Sequence, residues 1–158
     1  MQLRPNVEQQ TAAQVLTNLL SLMGKDVQAW ADLLAEDAVF ESPYAPGKPV
    51  RLEGKEVIYN FIKNALAQMQ DLMFTNIRVY PTTNPNLLWA EFHGEAVAVA
   101  TGRYYQQDYV LRLETRESKI VHYREYSNPM AAIEAWGAYK ICTNFPMQIM
   151  QSKASVTQ

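Results

Sequence analysis

A single cysteine, Cys142, stands among the 158 residues, so no intrachain disulfide can form and no Cys-x-x-Cys pair exists to bind metal or cycle electrons. Long apolar runs are missing as well: no window approaches the roughly 18 consecutive apolar residues of a membrane span. The opening stretch MQLRPNVEQQ has no apolar stretch of the kind a secretion signal needs. No membrane partner is therefore expected, and the cytoplasm is the expected location. Charge of one sign is absent too, because 14 basic residues face 16 acidic ones for a net charge of -2. A nucleic-acid partner would want a basic face, so none is expected. There is no Gly-x-Ser-x-Gly elbow and no Gly-rich phosphate loop, which removes the usual support for a serine hydrolase or a nucleotide enzyme. Repeats and low-complexity blocks are lacking.

What is present is an ordinary globular composition, 48% hydrophobic and 19% charged. A chain of this length buries roughly 70% of its unfolded surface around one core. One domain over residues 1–150 is expected, followed by a polar tail, QSKASVTQ, at 151–158.

Apolar residues Val15, Leu16, Leu19, Leu20 and Met23 recur at helical spacing between Val7 and Met23, with Gly24 as the stop. Val27, Trp30, Ala31, Leu33 and Leu34 predict a short second helix capped by Asp26 and ending near Glu36 and Asp37. Residues 38–50 read as a strand followed by a proline-rich loop, with Asp37 closing the turn before it. Lys55 to Gln68 is a third amphipathic helix. Four β-rich runs follow, Leu72 to Tyr80, Leu87 to Ala100, Tyr104 to Glu114 and Ile120 to Tyr126. Asn128-Pro129 opens a last helix through Trp136. The segment 138–150 is apolar enough to pack, and Met69, Met73, Met147 and Met150 read as gap fillers. Helices gathered ahead of long antiparallel strands predict an α+β fold, three N-terminal helices on a curved, mainly antiparallel sheet plus a short C-terminal helix. Such a sheet leaves a pocket at its wide end. Trp30, Phe40, Tyr44, Tyr59, Phe61 and Tyr123 are the aromatic candidates to line it.

Strand alternation sorts the candidate chemistry. On the last strand Val121, Tyr123, Glu125 and Ser127 share one face, and His122, Arg124 and Tyr126 share the other. If the first set points inward, Glu125 sits among apolar and phenolic groups, and desolvation raises its pKa toward the range of a proton shuttle. The alternative is that Glu125 pairs with Arg112 or Arg124. On the middle strand Trp89, Glu91, His93, Glu95 and Val97 alternate with Ala90, Phe92, Gly94 and Ala96. His93, with Glu91, is the candidate partner of Glu125, unless that stripe is solvated or dimer-facing. Glu91, His93 and Glu95 also form an unspecific ligand row, but no metal and no organic cofactor is expected.

Four segments in order, WADLLAEDAVFESP at 30–43, RLEGKEVIYNFI at 51–62, WAEFHGEA at 89–96 and SKIVHYREYSNP at 118–129, resemble the SnoaL-like branch of the NTF2-like superfamily. Within it the runs NPNLLWAEFHGEA, YYQQDY and SKIVHYREYSN are similar to the phenazine-biosynthesis A/B proteins. The resemblance implies a ketosteroid isomerase-like fold, a homodimer, and acid-base catalysis on a small cyclic or carbonyl-containing metabolite. It places a catalytic glutamate in the step Arg124-Glu125-Tyr126. Those relatives carry a catalytic histidine on the third helix where this chain has Phe61. Isomerase, cyclase and dehydratase chemistry are the reaction types implied. Non-catalytic binding of a hydrophobic metabolite and a dimerising association domain are the alternatives.

Overall fold

The computed structural model describes residues 9–137. The expected segment 138–150, with Met147 and Met150, and the tail lie outside the described residues.

Helix α1 (Ala12–Leu22) starts later than its apolar periodicity suggests, because Thr11 and Gln14 close a capping box. The Gln14 side chain accepts from the Thr11 N–H at 2.8 Å, and the Thr11 hydroxyl accepts from the Gln14 N–H at 3.4 Å. Val15, Leu16, Leu19 and Leu20 then share its buried face. Helix α2 (Val27–Ala31) has the expected cap, Asp26 accepting from the Ala29 N–H at 2.9 Å. It is shorter than expected: the chain turns at Leu33, and Leu34 opens strand β1 (Leu34–Ser42). Glu36 and Asp37 therefore lie in a strand, where Asp37 bonds Arg116 at 2.7 Å and takes no part in the helix end.

After the proline loop the chain makes a short edge strand, β2 (Val50–Glu53), antiparallel to β1. Gly54 at φ 95° turns it into α3 (Lys55–Leu66). So two helices precede the first strands and the third helix follows them. Strands β3 (Met69–Pro81), β4 (Leu87–Ala98), β5 (Tyr104–Arg116) and β6 (Lys119–Tyr126) complete a six-stranded sheet of order β2-β1-β6-β5-β4-β3. Every pairing is antiparallel except β1 with β6. Helix α4 (Pro129–Trp136) follows, capped by Asn128.

Two features curve the sheet. Strand β3 is irregular between Gln70 and Met73 and between Thr75 and Arg78, where Asp71 and Asn76 take positive φ; bulges of this kind bend a strand and increase its twist. Met73 is exposed in the first irregularity and fills no gap. In β6, Thr115 faces Ile120 while Glu114 faces His122, so Val121 is an extra residue without a partner on β5. That bulge lets Ile120 and Tyr123, three residues apart, both point into the core. The core lies between the helices and this concave face, with Leu16, Leu19, Trp30, Ile58, Leu88, Leu111, Leu113 and Ile120 almost wholly buried.

Candidate functional site

Between α3, the bend of β3 and the ends of β5 and β6 lies a cavity of about 170 Å³. Its apolar wall is built by Phe61, Ile62 and Leu66 of α3, Phe40 of β1, and Phe74 and Phe92 of β3 and β4. Its polar groups come from Tyr105, Gln107 and Tyr109 of β5 and from Tyr123 and Glu125 of β6, with Asn128 at the start of α4.

Regular alternation beyond the Val121 bulge turns Tyr123 and Glu125 inward and His122, Arg124 and Tyr126 outward. The Tyr123 hydroxyl donates to Glu125 Oε2 at 2.9 Å. Tyr123 is itself fixed by stacking on Phe40, its neighbour across the parallel β1–β6 pair, at 5.3 Å and 18°. Burial pushes the Glu125 carboxyl up to about 7, and the bond from Tyr123, which favours the charged form, offsets only part of this. Neither arginine weighed as its partner reaches it. Arg112 bonds His122 at 2.8 Å and Glu114 at 3.1 Å on the outer face. Arg124 lies over the Tyr126 ring there, 3.9 Å from Glu41.

On β5, Tyr105 and Tyr109 point into the cavity with their hydroxyl oxygens 2.5 Å apart. Gln107, between them in sequence and on the same face, donates its amide to Tyr105 and accepts the Asn128 backbone N–H at 2.7 Å. Desolvation pushes the Tyr105 phenol up to about 12 and Tyr109 higher still, so both stay protonated at any physiological pH. Tyr109 lies flat on Phe92 at 5.2 Å and 19°. It also lies over Gly94, where a Cβ would come within 2.7 Å of its ring. The sequence reading did not single out these three residues. The signal was available in YYQQDY, whose alternate positions Tyr105, Gln107 and Tyr109 run in phase with the buried Leu111 and Leu113.

His93, Glu91 and Glu95 lie on the other side of the sheet, because Ala90, Phe92 and Ala96 take the buried positions of β4. His93 Nδ1 is 2.8 Å from Asp108 and Nε2 is 3.3 Å from Glu95, and the Asp108 bond foremost raises its pKa. Glu91 accepts from the Tyr80 hydroxyl at 3.2 Å. The backbone of the sheet thus separates both from Glu125, and the expected pairing across one cavity is not formed. Among the described residues no group of three His, Cys, Asp or Glu is placed to hold a metal ion. Of the six aromatic candidates, Phe40, Phe61 and Tyr123 line the cavity. Trp30 is 1% exposed in the core under α1, Tyr44 is 58% exposed against Tyr126, and Tyr59 lies beneath the Lys63 ammonium. These three are corrections to the expected lining. Trp30 fills the space between helices, Tyr44 sits in the proline loop, and Tyr59 lies off the cavity-facing side of α3.

A curved sheet whose concave face is closed by helices around a small cavity defines the fold, and an NTF2-like protein from Burkholderia xenovorans shares it (TM-score 0.65, 19% identity, 82% of this chain and 98% of that one). The SnoaL-like domain family matches residues 19–123. YesE of Bacillus subtilis is 41% identical over 132 residues, covering 82% of this chain and 90% of its own. The PhzA/B-like protein PA3332 of Pseudomonas aeruginosa is 37% identical over 128 residues, covering 80% and 90%. The chain belongs to the SnoaL-like family. Among solved structures, one from Bacillus subtilis superposes with a TM-score of 0.75 at 41% identity over 80% of this chain and 93% of that one. The phenazine biosynthesis-related protein PhzB2 of Pseudomonas aeruginosa gives 0.71 at 23% identity over 79% and 84%, a likeness of fold. No helix among the described residues is long and apolar enough to cross a membrane.

Proposed function

We propose that this chain is a pocket enzyme that isomerises, cyclises or dehydrates a small carbonyl-containing or cyclic metabolite, with Glu125 moving the proton. One observation carries this reading: the Glu125 carboxyl stands in a largely apolar cavity with no cation against it among the described residues, and burial pushes its pKa up to about 7. Such a group is partly ionised at neutral pH, so it can take a proton in one step and return it in the next. Its carboxylate removes a proton from the carbon beside a carbonyl. The C–H electron pair passes into the enolate, and the acid so formed gives the proton back at another carbon or to a departing hydroxyl. The apolar wall excludes water that would compete for the proton. His93 and Glu91 have no part in this step, since they face away from the cavity.

The family likeness adds a homodimer to the proposal, and Tyr80, Trp89 and Val110, exposed on the outer face of the sheet, are the apolar side chains a second copy would cover.

The test uses small cyclic ketones in deuterium oxide, with NMR following exchange of the hydrogens beside the carbonyl. Wild-type protein is expected to catalyse exchange with a midpoint near pH 7, and Glu125→Gln to bind the same ketones without exchanging them. Binding without exchange by the wild type would leave the non-catalytic reading in its place.

A further inference from the structure

The hydrogen bonds along β5 have a direction. A backbone N–H can only donate, so the Asn128 N–H fixes the Gln107 oxygen toward itself and turns the amide nitrogen toward Tyr105. Tyr105 Oη therefore receives a hydrogen from Gln107. The two phenols then share a single bond between them, at 2.5 Å. Two hydroxyl hydrogens and one mutual bond leave one hydrogen over, whichever oxygen donates. The Gln107 amide nitrogen also reaches Tyr109, but it only donates, so among the described residues no further acceptor takes that hydrogen, and both phenols are buried, at 4% and 7% exposure. A buried donor without an acceptor is costly, so a ligand oxygen at this point recovers the loss. The Tyr123 hydrogen is not available for the purpose, being given to Glu125.

Position and charge narrow the ligand. Leu111 lies opposite Glu125 in the β5–β6 pair, so Tyr109 stands one diagonal step from Glu125 on the same face, about 7 Å away between Cβ atoms. A compact ring can meet both groups at once. The described residues that line the cavity include no Lys, Arg or His, while Glu125 supplies a potential negative charge. An anionic ligand would enter without a counter-charge and against that carboxylate. The surrounding rings Phe40, Phe61, Phe74 and Phe92 suit a flat apolar body.

We infer that the Tyr105–Tyr109 pair, oriented by Gln107, is a donor subsite for an acceptor oxygen, and that the pocket takes neutral cyclic ketones in preference to cyclic carboxylates. This deepens the proposed function and rests on it for the role of Glu125 beside the ligand. The donor subsite itself stands on the hydrogen-bond geometry.

The test uses 2-cyclohexen-1-one labelled with ¹³C at the carbonyl, its oxygen-free analogue, and cyclohexene-1-carboxylate, each titrated into the full chain at pH 8. The ketone is expected to bind saturably with a downfield shift of its carbonyl resonance, and to bind about ten-fold tighter than either of the others. The double variant Tyr105→Phe/Tyr109→Phe is expected to lose the shift and the ten-fold advantage over the oxygen-free analogue, and Glu125→Gln to keep both of these while binding the carboxylate less weakly. If the double variant does not fold, the downfield carbonyl shift and the ligand ranking of the wild type decide, because either single phenylalanine variant still leaves one phenolic hydrogen over. No saturable ketone binding, no downfield shift, equal affinity for the carboxylate, or unchanged affinity and shift in the double variant would each overturn the subsite. Exchange at the neighbouring carbon is read in the same samples. A carbonyl shift without exchange would count against Glu125 as the proton carrier and leave the subsite standing. Exchange without the shift would do the reverse.

Discussion

The two faces of the sheet carry ionisable groups in opposite ways. On the outer face charges stand beside counter-charges: Glu41 accepts from Arg51 at 2.8 Å and lies 2.6 Å from His122, and His93 lies between Asp108 and Glu95. Partial burial pushes Glu41 up, but its bonds to His122 and Arg51 outweigh this and hold it below the usual carboxylate range. On the inner face Glu125 has a phenol for company and, among the described residues, no cation, and burial dominates. The same residue type is pushed in opposite directions through the thickness of one sheet. Pairing makes a charge permanent, whereas isolation in an apolar wall makes it negotiable near neutral pH. A reactive carboxylate is therefore better sought where partners are missing than where titratable groups are most numerous.

That contrast can be broken from the inside first. Because the folded-state pKa of Glu125 is raised from 4.5 to about 7, the fold is most stable below the unfolded value. Stability then falls as pH rises through that window, with the penalty fully expressed above it. The shift corresponds to about 3 kcal/mol. Glu125→Gln keeps the shape and the Tyr123 bond but removes the charge, so denaturant melts at pH 8 should show it more stable than wild type by about 2–3 kcal/mol. At pH 4 the two should nearly coincide. A smaller effect is expected from Gly94→Ala, whose added Cβ would press on the Tyr109 ring at 2.7 Å. Overpacking of this kind costs about 1–3 kcal/mol, and the displaced ring should also weaken ketone binding, which calorimetry and titration would show together. The smallest effect lies outside. Asp108→Asn removes the main cause of the raised His93 pKa, so the imidazole midpoint followed by NMR should fall. The stabilisation from this exposed pair is present below the usual histidine value of 6.5 and is lost as pH rises through the folded one. Its removal should change stability by less than about 0.5 kcal/mol and leave cavity binding unaltered.

Local periodicity made much of the architecture legible. The apolar spacing of α1 and α3, the alternation of β4 and β5, and the Asn128-Pro129 start of α4 all carry their structure within a few residues. What could not be read depends on distant partners. Leu34 reads as helical among its neighbours, but its backbone is claimed by β6, more than 80 residues later. Strand β2 is four residues long beyond a run of prolines, too short for alternation to register. Alternation also sorted β4 into two faces correctly while leaving open which one is interior. Phe92 and the alanines, with less charge than the Glu91-His93-Glu95 stripe, were the clue. For Glu125 the inward direction was legible, although the Val121 bulge was not. The phenol pair was overlooked because tyrosines on a strand look like core, and only their 2.5 Å approach marks them as a site.

Asn128 uses its side chain to start α4, accepting from the Met130 N–H at 3.0 Å, and its backbone N–H to steer Gln107. The last helix is thereby tied to the aim of a hydroxyl group on the inner face of the sheet. Pull on that helix and the amide is free to spin, leaving the polar end of the chamber without a preferred orientation, while Pro129 and Ala132 leave its greasy wall. Trimming the chain before residue 128 would then blunt discrimination among guests and open the room they occupy.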